Sequence, residues 1–396
     1  MLDQTTLQEL FSRFGLNPLD WHCVAFGSGL INSTWVLRDR QGVVKYILQK
    51  INHQVFKRPE DLAYNLKIVG GHLEKYHPEY LFVHPLMTLD GATYVHIRGG
   101  AGSDSNASGA SNATGASNGS GASGSPGAPG ATGGEYFRIF PFVRGSKTLD
   151  VVSRPEQAYE AARSFARFSH QLADLDPKLL RETLPGFHDL GERYRAFQKA
   201  QTSATPERHA EAAKEIYYLE NHAHYVSDLE ALKASKDFPL RVMHHDTKIS
   251  NILFDDADRA LCVIDLDTVM PGYFLSDVGD MMRTYLPPVS EEEQDLALVK
   301  VRPEYFRAIV AGYLNGMEGS LTALEQQQFL FAGRFMIYMQ ALRFLTDYLE
   351  SDVYYGSRYP GHNLVRARNQ VRLLQSFNAS EETLRGLLRE VLPVKA

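Results

Sequence analysis

The stretch His-His-Asp-Thr-Lys-Ile-Ser-Asn, residues 244–251, decides what kind of fold this chain can adopt. It places a carboxylate, an amine and an amide, on Asp246, Lys248 and Asn251, within one short loop. A second carboxylate, on Asp265, follows 19 residues after the first, at the end of an apolar run. Such oxygen atoms are the ligands that magnesium takes in proteins, where it usually keeps several waters. The stretch therefore predicts a polar site that can hold a hard divalent cation beside an ionised carboxylate.

This order of polar groups is the one in which a kinase catalytic loop presents its base and its two metal ligands. Asp246 would accept the proton of an attacking hydroxyl, and Lys248 would contact the phosphoryl group in transfer. Asn251 and Asp265 would hold Mg²⁺ on the phosphates of ATP. The alternative is a polar loop before a hairpin, with Asp246 as a cap. The second carboxylate at this distance favours the catalytic interpretation.

The residues after the loop predict a β-hairpin. Two short apolar runs, residues 253–254 and 261–264, are separated by a turn of sequence Asp-Asp-Ala-Asp at 255–258. A hairpin of this length would deliver Asp265 to the site that contains Asp246.

Strand-like segments dominate the first 140 residues, where alternating or apolar runs are bounded by turn-forming residues. Strands are predicted at residues 23–26, 34–38, 43–49, 93–97 and 136–140. The last two are separated by residues 99–134, which are almost entirely Gly, Ala, Ser, Asn, Thr and Pro. Such a segment has too little apolar surface to offset the entropy of ordering, so we expect a flexible surface loop inserted into a hairpin.

The turn after the first predicted strand contains Gly27, Gly29 and Asn32, where a kinase folds a glycine loop over phosphates. Glycine lets backbone N–H groups approach an anion closely, although a tight turn also favours glycine. Lys50, at the end of the third strand, is the candidate for pairing with the phosphates of ATP, and a surface lysine is the alternative. Gln49 points to the opposite face, so the register of the strand decides which of the two matters.

Helical patterns replace strands after residue 140. Helices are predicted after a capping box at Ser153, from Thr205 to about residue 235, and over residues 321–350. The run 140–143 would be a hinge, with Phe142 and Val143 next to the adenine of the nucleotide. The chain is therefore divided into a nucleotide-binding lobe, residues 1–140, and a catalytic and substrate-binding lobe, residues 141–396.

Composition excludes several classes of protein. The 396 residues carry a net charge of −6 and no basic stripe, so nucleic acid is not an expected partner. The two cysteines are far apart, which is typical of a reduced protein. Because there is no secretory leader pattern and no run of 18 apolar residues, we expect a cytoplasmic protein without a membrane partner. The oligomeric state is not predicted.

Outside residues 99–134 the whole chain resembles the aminoglycoside phosphotransferase superfamily of kinase-like small-molecule kinases, and most of all the N-acetylhexosamine 1-kinase group. The segments that carry the resemblance are residues 46–52, 55–56, 242–251, 263–272, 277–280 and 362–366. The string Asp-Leu-Asp-Thr-Val-Met-Pro-Gly, residues 265–272, is more specific than the general kinase motif. The resemblance implies an α+β, two-lobed protein-kinase-like fold, with a small β-rich lobe and a larger helical lobe.

The resemblance also implies a reaction. This is the Mg²⁺- and ATP-dependent phosphorylation of the anomeric hydroxyl of N-acetylglucosamine or N-acetylgalactosamine, in cytoplasmic salvage of sugars. Asp246 matches the base of the family, and Asn251 and Asp265 match its metal ligands. Asp277 matches an aspartate that braces the catalytic loop. The family often has a glutamate where this chain has residues 64–65, so the partner of Lys50 is left open.

Residues that could bind a neutral sugar are polar or aromatic groups near these segments. The candidates are His188, Asp189, Arg283 and Arg366, with Tyr354 and Tyr355 as possible stacking residues. For each of them, a surface or capping role is the alternative.

Two other functions are compatible with parts of the sequence. The first is a kinase for choline, homoserine, a methylthio-sugar or an aminoglycoside. A cationic acceptor needs an acidic cluster, and the run Glu-Glu-Glu at 291–293 is instead predicted to begin a helix after Ser290. The second is a non-catalytic nucleotide-binding protein, which is disfavoured because Asp246, Lys248 and both metal ligands are present.

Overall fold

The computed structural model describes residues 2–27, 31–98 and 134–392. The strands are β1 His22–Ala25, β2 Ser33–Arg38, β3 Val44–Ile51, β4 Val95–Arg98, β5 Gly134–Pro141, β6 Arg241–Met243, β7 Ile252–Phe254, β8 Ala260–Val263 and β9 Met270–Gly272. The helices are α1 Gln4–Arg13, α2 Pro59–Tyr76, α3 Pro155–Gln171, α4 Leu190–Ser203, α5 Pro206–Glu211, α6 Ala213–Glu220, α7 His224–Lys233, α8 Phe274–Tyr285, α9 Pro303–Gly316, α10 Ala323–Gln327, α11 Phe329–Leu349, α12 His362–Ala379 and α13 Glu381–Val391.

The first of two compact units comprises Met1–Pro59 and Pro85–Phe142. Its sheet has the order β1-β2-β3-β5-β4, and each neighbouring pair is antiparallel. Helix α1 packs on one face, where Leu10 and Phe11 meet Leu48, Phe137 and Ile139 in a buried cluster. The strands predicted from alternation are therefore present. The predicted loop at 99–134 lies outside the described residues except for its last residue.

The second unit comprises Glu60–His84 and Val143–Ala396, and it is built mainly from helices. Helix α11 is buried along most of its length, as its continuous apolar sequence predicts. Helix α2 groups with this unit, although it precedes β4 and β5 in the chain. The division into lobes at residue 140 stays a prediction. Within the described ranges, every helix is too short or too polar to cross a membrane.

Three predicted helices differ in detail from those observed. The helix expected over residues 321–350 is two helices, α10 and α11, which are separated at Gln328. The helix expected from Thr205 to residue 235 is three helices, α5, α6 and α7. The N–H groups of His222 and Ala223 bond three residues back, to Leu219 and Glu220, and this tighter turn ends α6. The capping box of α3 is also shifted by one residue, because Gln157 rather than Glu156 accepts the N–H groups of Ser153 and Arg154.

The contact between α8 and α11 requires glycine at position 279. A Cβ atom there would lie 2.4 Å from the carbonyl oxygen of Ala332 and 2.7 Å from Cβ of Met336. We expect Gly279→Ala to lower the free energy of unfolding by about 1–3 kcal/mol, because the helices would have to separate. Gly386, in α13, has nothing within 4 Å of the same position.

Gly386→Ala is therefore the matched control, and it should raise the free energy of unfolding by about 0.5–1 kcal/mol through helix propensity alone. Urea denaturation of both variants measures the difference. Equal stabilities would show that α8 can move away from α11 at little cost.

Candidate active site

The hairpin of β7 and β8 brings two predicted metal ligands to one place. Ile252 pairs with Val263, and the N–H of Ile264 donates to the carbonyl of Asn251 over 2.9 Å. Asp265 is therefore next in the chain to a residue bonded to Asn251. The backbone of Asp265 is left-handed, with φ 57° and ψ 59°, and its side chain is exposed. Such a conformation is uncommon outside glycine and is often found at functional sites.

Asp246 lies between two donors. The side-chain amide nitrogen of Asn251 donates to the backbone oxygen of Asp246 over 2.8 Å and to Oδ2 of Asp246 over 3.1 Å. Nζ of Lys248 is 3.0 Å from Oδ1. Burial alone would raise the pKa of Asp246, but Lys248, His244 and Asn251 together hold this pKa below its ordinary value. Asp246 raises the pKa of Lys248 in turn, so the carboxylate and the ammonium are both charged at neutral pH.

His244 connects the two carboxylate-bearing segments, a role that the sequence did not suggest. Its Nε2 bonds the carbonyl of Ile264 over 3.0 Å, and its Nδ1 accepts the N–H of Asp246 over 3.3 Å. The ring is fully buried and packs edge-on against Phe165. Because both nitrogens of this buried imidazole are hydrogen-bonded, the ring fixes the position of Asp246 relative to the segment that carries Asp265. The doublet of histidines before an aspartate was the only local signal for it.

Helix α8 supports the loop through two carboxylates. Asp277 accepts the N–H groups of His244 over 3.1 Å and His245 over 2.7 Å. Asp280, one helical turn later on the same face, accepts the N–H of Thr247 over 2.9 Å. The bracing position predicted for Asp277 agrees with these bonds. Three backbone N–H groups of the loop, on His244, His245 and Thr247, are thus held by one helix.

Asp277 is buried close to other acids. Burial raises its pKa to about 7, and the negative charges of Asp280 and Asp246 act in the same direction. The two backbone N–H groups oppose this rise without cancelling it. The loop is therefore anchored by a carboxyl group whose ionisation is unfavourable in the folded state.

The residues at the end of the hairpin suit magnesium in chemical type. An amide oxygen and a carboxylate are hard oxygen donors, and two protein ligands suffice when phosphates and waters complete the shell. Among the residues that the structure describes, no group of three or more His, Cys, Asp or Glu side chains forms a metal cluster. The oxygen atoms of Asn251 and Asp265 thus suit a cation that arrives with its nucleotide, and their role as ligands stays a prediction.

The residues predicted to bind ATP in the first unit are only partly described. Gly27 has φ 73°, as a tight turn before a phosphate would need, whereas Gly29 lies outside the described residues. Oδ1 of Asn32 accepts the N–H of Asn52 over 3.0 Å. This bond joins the end of the turn to the end of β3. The contacts of these residues with ATP stay predictions.

The register of β3 separates Lys50 from Gln49. Lys50 lies opposite Phe137 and forms an ion pair with Glu135, on the face of the sheet that α1 covers. Gln49 lies opposite Arg138 on the other face, and its Oε1 accepts two bonds from that guanidinium, at 2.9 and 3.1 Å. The ammonium of Lys50 thus has Glu135 as a partner, a residue that the sequence interpretation had not considered.

The predicted hinge residues have defined backbone contacts. The N–H of Phe142 donates to the carbonyl of Lys45 over 2.8 Å, which continues the pairing of β5 with β3. The carbonyl of Val143 accepts the hydroxyl of Ser146 over 2.7 Å. Phe142 is the last residue of the first unit, and Val143 is the first residue of the following segment of the second. Their contact with adenine stays a prediction.

Of the residues predicted to bind the acceptor, Asp189 has a structural role. Its carboxylate accepts the N–H of Glu192 over 2.8 Å and so caps α4. His188 contacts His245, the neighbour of Asp246, with 3.2 Å between the two Nδ1 atoms. His188 therefore lies beside the loop 244–251, whereas the carboxylate of Asp189 is hydrogen-bonded to the first turn of α4.

Arg283 and Arg366 are joined by one carboxylate. Arg283 bonds Asp280 over 2.9 Å and Glu291 over 2.7 Å, and Arg366 bonds the other oxygen of Glu291. The prediction that a helix begins after Ser290 is wrong, because residues 286–302 contain turns and no helix. Two nearby guanidinium groups outweigh the small preference of an acidic residue for a helix start. Glu291 thus extends the charged network from α8 to α12.

We expect Glu291→Gln to lower the free energy of unfolding by about 1–3 kcal/mol, since it leaves two largely buried arginines without their shared anion. The side chain of Glu291 is 29% exposed, which moderates the loss. Glu292→Gln is the control. Its pair with Arg358 involves an arginine that is 67% exposed, so the expected loss is below about 1 kcal/mol. Thermal unfolding of both variants compares them, and equal losses would contradict this account of Glu291.

The surroundings of His188 are cationic and aromatic. Burial lowers the pKa of His188 well below its ordinary value, and the charges of Arg343, Arg193 and Arg283 add to the effect. The guanidinium of Arg343 lies 5.2 Å from the ring centre of Phe187 and 5.5 Å from that of Tyr355. Arg193 donates to the carbonyls of Gly186 and Phe187. In the described part of the chain, neither Arg193 nor Arg343 forms an ion pair with a carboxylate.

The sheet of one unit and the helices and hairpins of the other define a mixed α+β protein of the protein-kinase-like class. The chain belongs to the phosphotransferase enzyme family, whose model matches residues 121–318, or 198 of the 396 residues. The predicted superfamily is thereby confirmed. The closer resemblance to N-acetylhexosamine 1-kinases stays a prediction.

Solved structures agree on the fold. A microcompartment-associated aminopropanol kinase is 14% identical, with 96% of this chain and 98% of that chain covered and a TM-score of 0.60. A spectinomycin phosphotransferase in complex with ADP and spectinomycin is 11% identical, with 96% and 99% covered and a TM-score of 0.56. An ethanolamine kinase from Plasmodium vivax is 13% identical, with 94% and 88% covered and a TM-score of 0.53. The predicted fold class is confirmed.

Proposed function

We propose that this protein is a kinase that transfers a phosphoryl group from ATP to the anomeric hydroxyl of N-acetylglucosamine or N-acetylgalactosamine. The observation that carries the reaction type is the position of Asp246. Its ionised carboxylate lies between Lys248 and Asn251, and the carbonyl of Asn251 accepts the N–H of Ile264, the residue before Asp265. Membership of the phosphotransferase enzyme family supports the same reaction type.

In this proposal, Asp246 orients the attacking hydroxyl and accepts its proton, which contributes about 10²- to 10⁴-fold to the rate. Lys248 offsets negative charge on the phosphoryl oxygens. Asn251 and Asp265 would hold Mg²⁺, which neutralises charge on the phosphates when bound. His244, Asp277 and Asp280 keep the loop in place, so that little reorganisation is needed when the acceptor arrives.

The charge around His188 supports an uncharged acceptor. Arg193, Arg343 and Arg283 lie near it, and the carboxylate of Glu291 is shared by Arg283 and Arg366. A cationic acceptor would be repelled there, whereas the hydroxyl and acetamido oxygens of an N-acetylhexosamine can accept hydrogen bonds from arginine. The rings of Phe187 and Tyr355 lie beside Arg343 in the same surroundings. Arg366 belongs to the same acceptor surface in this proposal.

A second candidate is a kinase for an amino alcohol or an aminoglycoside. The three similar structures favour it, because their names specify aminopropanol, spectinomycin and ethanolamine as the compounds involved. The arginines near His188 disfavour it, because a binding site for an ammonium group needs negative charge. For the N-acetylhexosamine kinase, we also propose a cytoplasmic location and a role in the salvage of sugars.

An ADP-release assay over a panel of acceptors tests the function. The panel contains N-acetylglucosamine, N-acetylgalactosamine, glucosamine, choline, ethanolamine, homoserine, a methylthio-sugar and an aminoglycoside, each with and without Mg²⁺. We expect Mg²⁺-dependent turnover of an N-acetylated sugar and at least about tenfold less of glucosamine, whose ammonium replaces the acetamido group. If only choline or ethanolamine were phosphorylated, the assignment of a sugar as acceptor would be wrong, and the assignment of kinase activity would stand. Tight ATP binding without any turnover would indicate a non-catalytic protein.

A further inference from the structure

Two histidines on different segments share one hydrogen bond beside the loop. Nδ1 of His188, in the segment before α4, lies 3.2 Å from Nδ1 of His245. The rings meet edge to face, with centres 5.1 Å apart. His188 is also stacked on Phe187, at 4.3 Å between ring centres. Both rings are therefore held in place, and a single proton must lie between them.

The carbonyl of Pro271 decides which histidine donates that proton. It lies 3.3 Å from Nε2 of His245, and a carbonyl can only accept, so this Nε2 carries hydrogen. In a neutral imidazole the other nitrogen is then an acceptor. Nδ1 of His245 therefore receives its bond from Nδ1–H of His188. It follows that Nε2 of His188 has no hydrogen and presents a lone pair.

The surroundings keep both rings neutral and His245 in position. Burial lowers the pKa of His245 to about 4, and it lowers the pKa of His188 well below its ordinary value. An imidazolium at His188 would face Arg193 and Arg343. A Cβ on Gly272 would be 2.3 Å from Cε1 of His245, so the ring lies directly on the glycine backbone. Neither protonation nor rotation of the rings is favourable.

We propose that Nε2 of His188 accepts a hydrogen bond from an uncharged donor of the acceptor substrate, an O–H or an amide N–H. His245 is the positioning residue that sets the tautomer of His188. The proposal rests on the proposed function in that it places His188 beside the acceptor. The new element is the direction of the hydrogen bond: the arginines on this surface donate to the substrate, whereas His188 accepts from it.

Nitrogen NMR of the wild-type protein tests the tautomer without any substrate. Two-bond ¹H–¹⁵N correlations distinguish the protonated ring nitrogen of a histidine from the bare one. The His188→Gln and His245→Gln variants assign the signals. We expect His188 with hydrogen on Nδ1 and His245 with hydrogen on Nε2. Hydrogen on Nε2 of His188, or a charged ring at pH 7, would overturn the proposal.

Kinetics test the contact with whichever acceptor the panel identifies. His188→Gln retains an acceptor oxygen near the position of Nε2, whereas His188→Leu does not. We expect the KM of the acceptor to rise about tenfold or more in His188→Leu and less than about threefold in His188→Gln, with the KM of ATP unchanged. His222→Gln, a histidine whose Nδ1 bonds the carbonyl of Tyr218, is the control. An unchanged acceptor KM in His188→Leu, or equal losses in both variants, would overturn the contact.

These experiments separate the inference from the proposed function. If the panel identifies an amino alcohol as substrate, the sugar assignment fails. The tautomers and the ratio between His188→Leu and His188→Gln are still measured with that acceptor, and they support or overturn the role of His188 independently.

Discussion

Asp246→Asn is expected to reduce kcat by about 10²- to 10⁴-fold while the affinity for ATP stays within about threefold of wild type. The amide cannot accept the proton of the acceptor, and it loses the ion pair with Lys248 that lies at 3.0 Å. The shape of the side chain is kept, so Asn251 retains its bond to the backbone oxygen at position 246. Single-turnover rates and calorimetric titration with ATP separate the rate from the binding.

Asp256→Asn is the matched control, because it changes an exposed carboxylate in the turn of the β7–β8 hairpin that follows the loop of Asp246. Its kcat should equal that of the wild type. Full activity in Asp246→Asn would mean that another group accepts the proton, and a similar loss in both variants would mean that the hairpin responds to any change of charge.

Asp277→Ala should lower the free energy of unfolding by about 2–5 kcal/mol. It leaves the N–H groups of His244 and His245 unsatisfied in a fully buried place, and each costs about 1–3 kcal/mol. Asp228→Ala, at an exposed position of α7, is the control and should change stability by less than about 0.5 kcal/mol. Urea denaturation measures both. A loss below 1 kcal/mol for Asp277→Ala would show that water or a side chain takes over the two donors.

The pH dependence of stability has a defined sign at the same residue. Because the pKa of Asp277 is about 7 in the folded protein and near 3.8 when unfolded, the folded state holds the extra proton between these values. The contribution of Asp277 to stability therefore falls as pH rises from 4 to 7, by about 1.4 kcal/mol per unit of pKa difference. Asp277→Asn mimics the protonated acid, so its stability relative to wild type should increase from pH 4 to pH 8. A constant difference over this range would contradict the raised pKa.

The fold was largely predictable because its signals are local. Alternation along β2 and β3 and the continuous apolar sequence of α11 each reflect one packed face, which a single segment records. Asp246, Asn251 and Asp265 likewise lie close together in the chain, the first two in the loop before the β7–β8 hairpin and the third shortly after it. The breaks at Ala212 and near His222 were not predictable, since neither position contains proline or glycine.

The parts of the site that were missed depend on partners far along the chain. Glu291 bonds Arg283, eight residues away, and Arg366, 75 residues away, and no local pattern records the second bond. The pairing of Lys50 with Glu135 depends on the register of β3 against β5, where a shift of one residue exchanges Lys50 for Gln49. Sequence reasoning could only name both residues.

The left-handed backbone at Asp265 restricts how this protein can change over evolutionary time. Besides glycine, only asparagine and aspartate adopt that conformation at little cost. A β-branched residue there would strain the end of the hairpin, so we expect most substitutions to destabilise the fold whatever they do to the proposed metal site. Asparagine and glycine are the two exceptions. If Asp265 holds Mg²⁺ as we propose, a descendant that has lost this carboxylate but still folds should carry one of these two residues, and the position would then identify copies without activity.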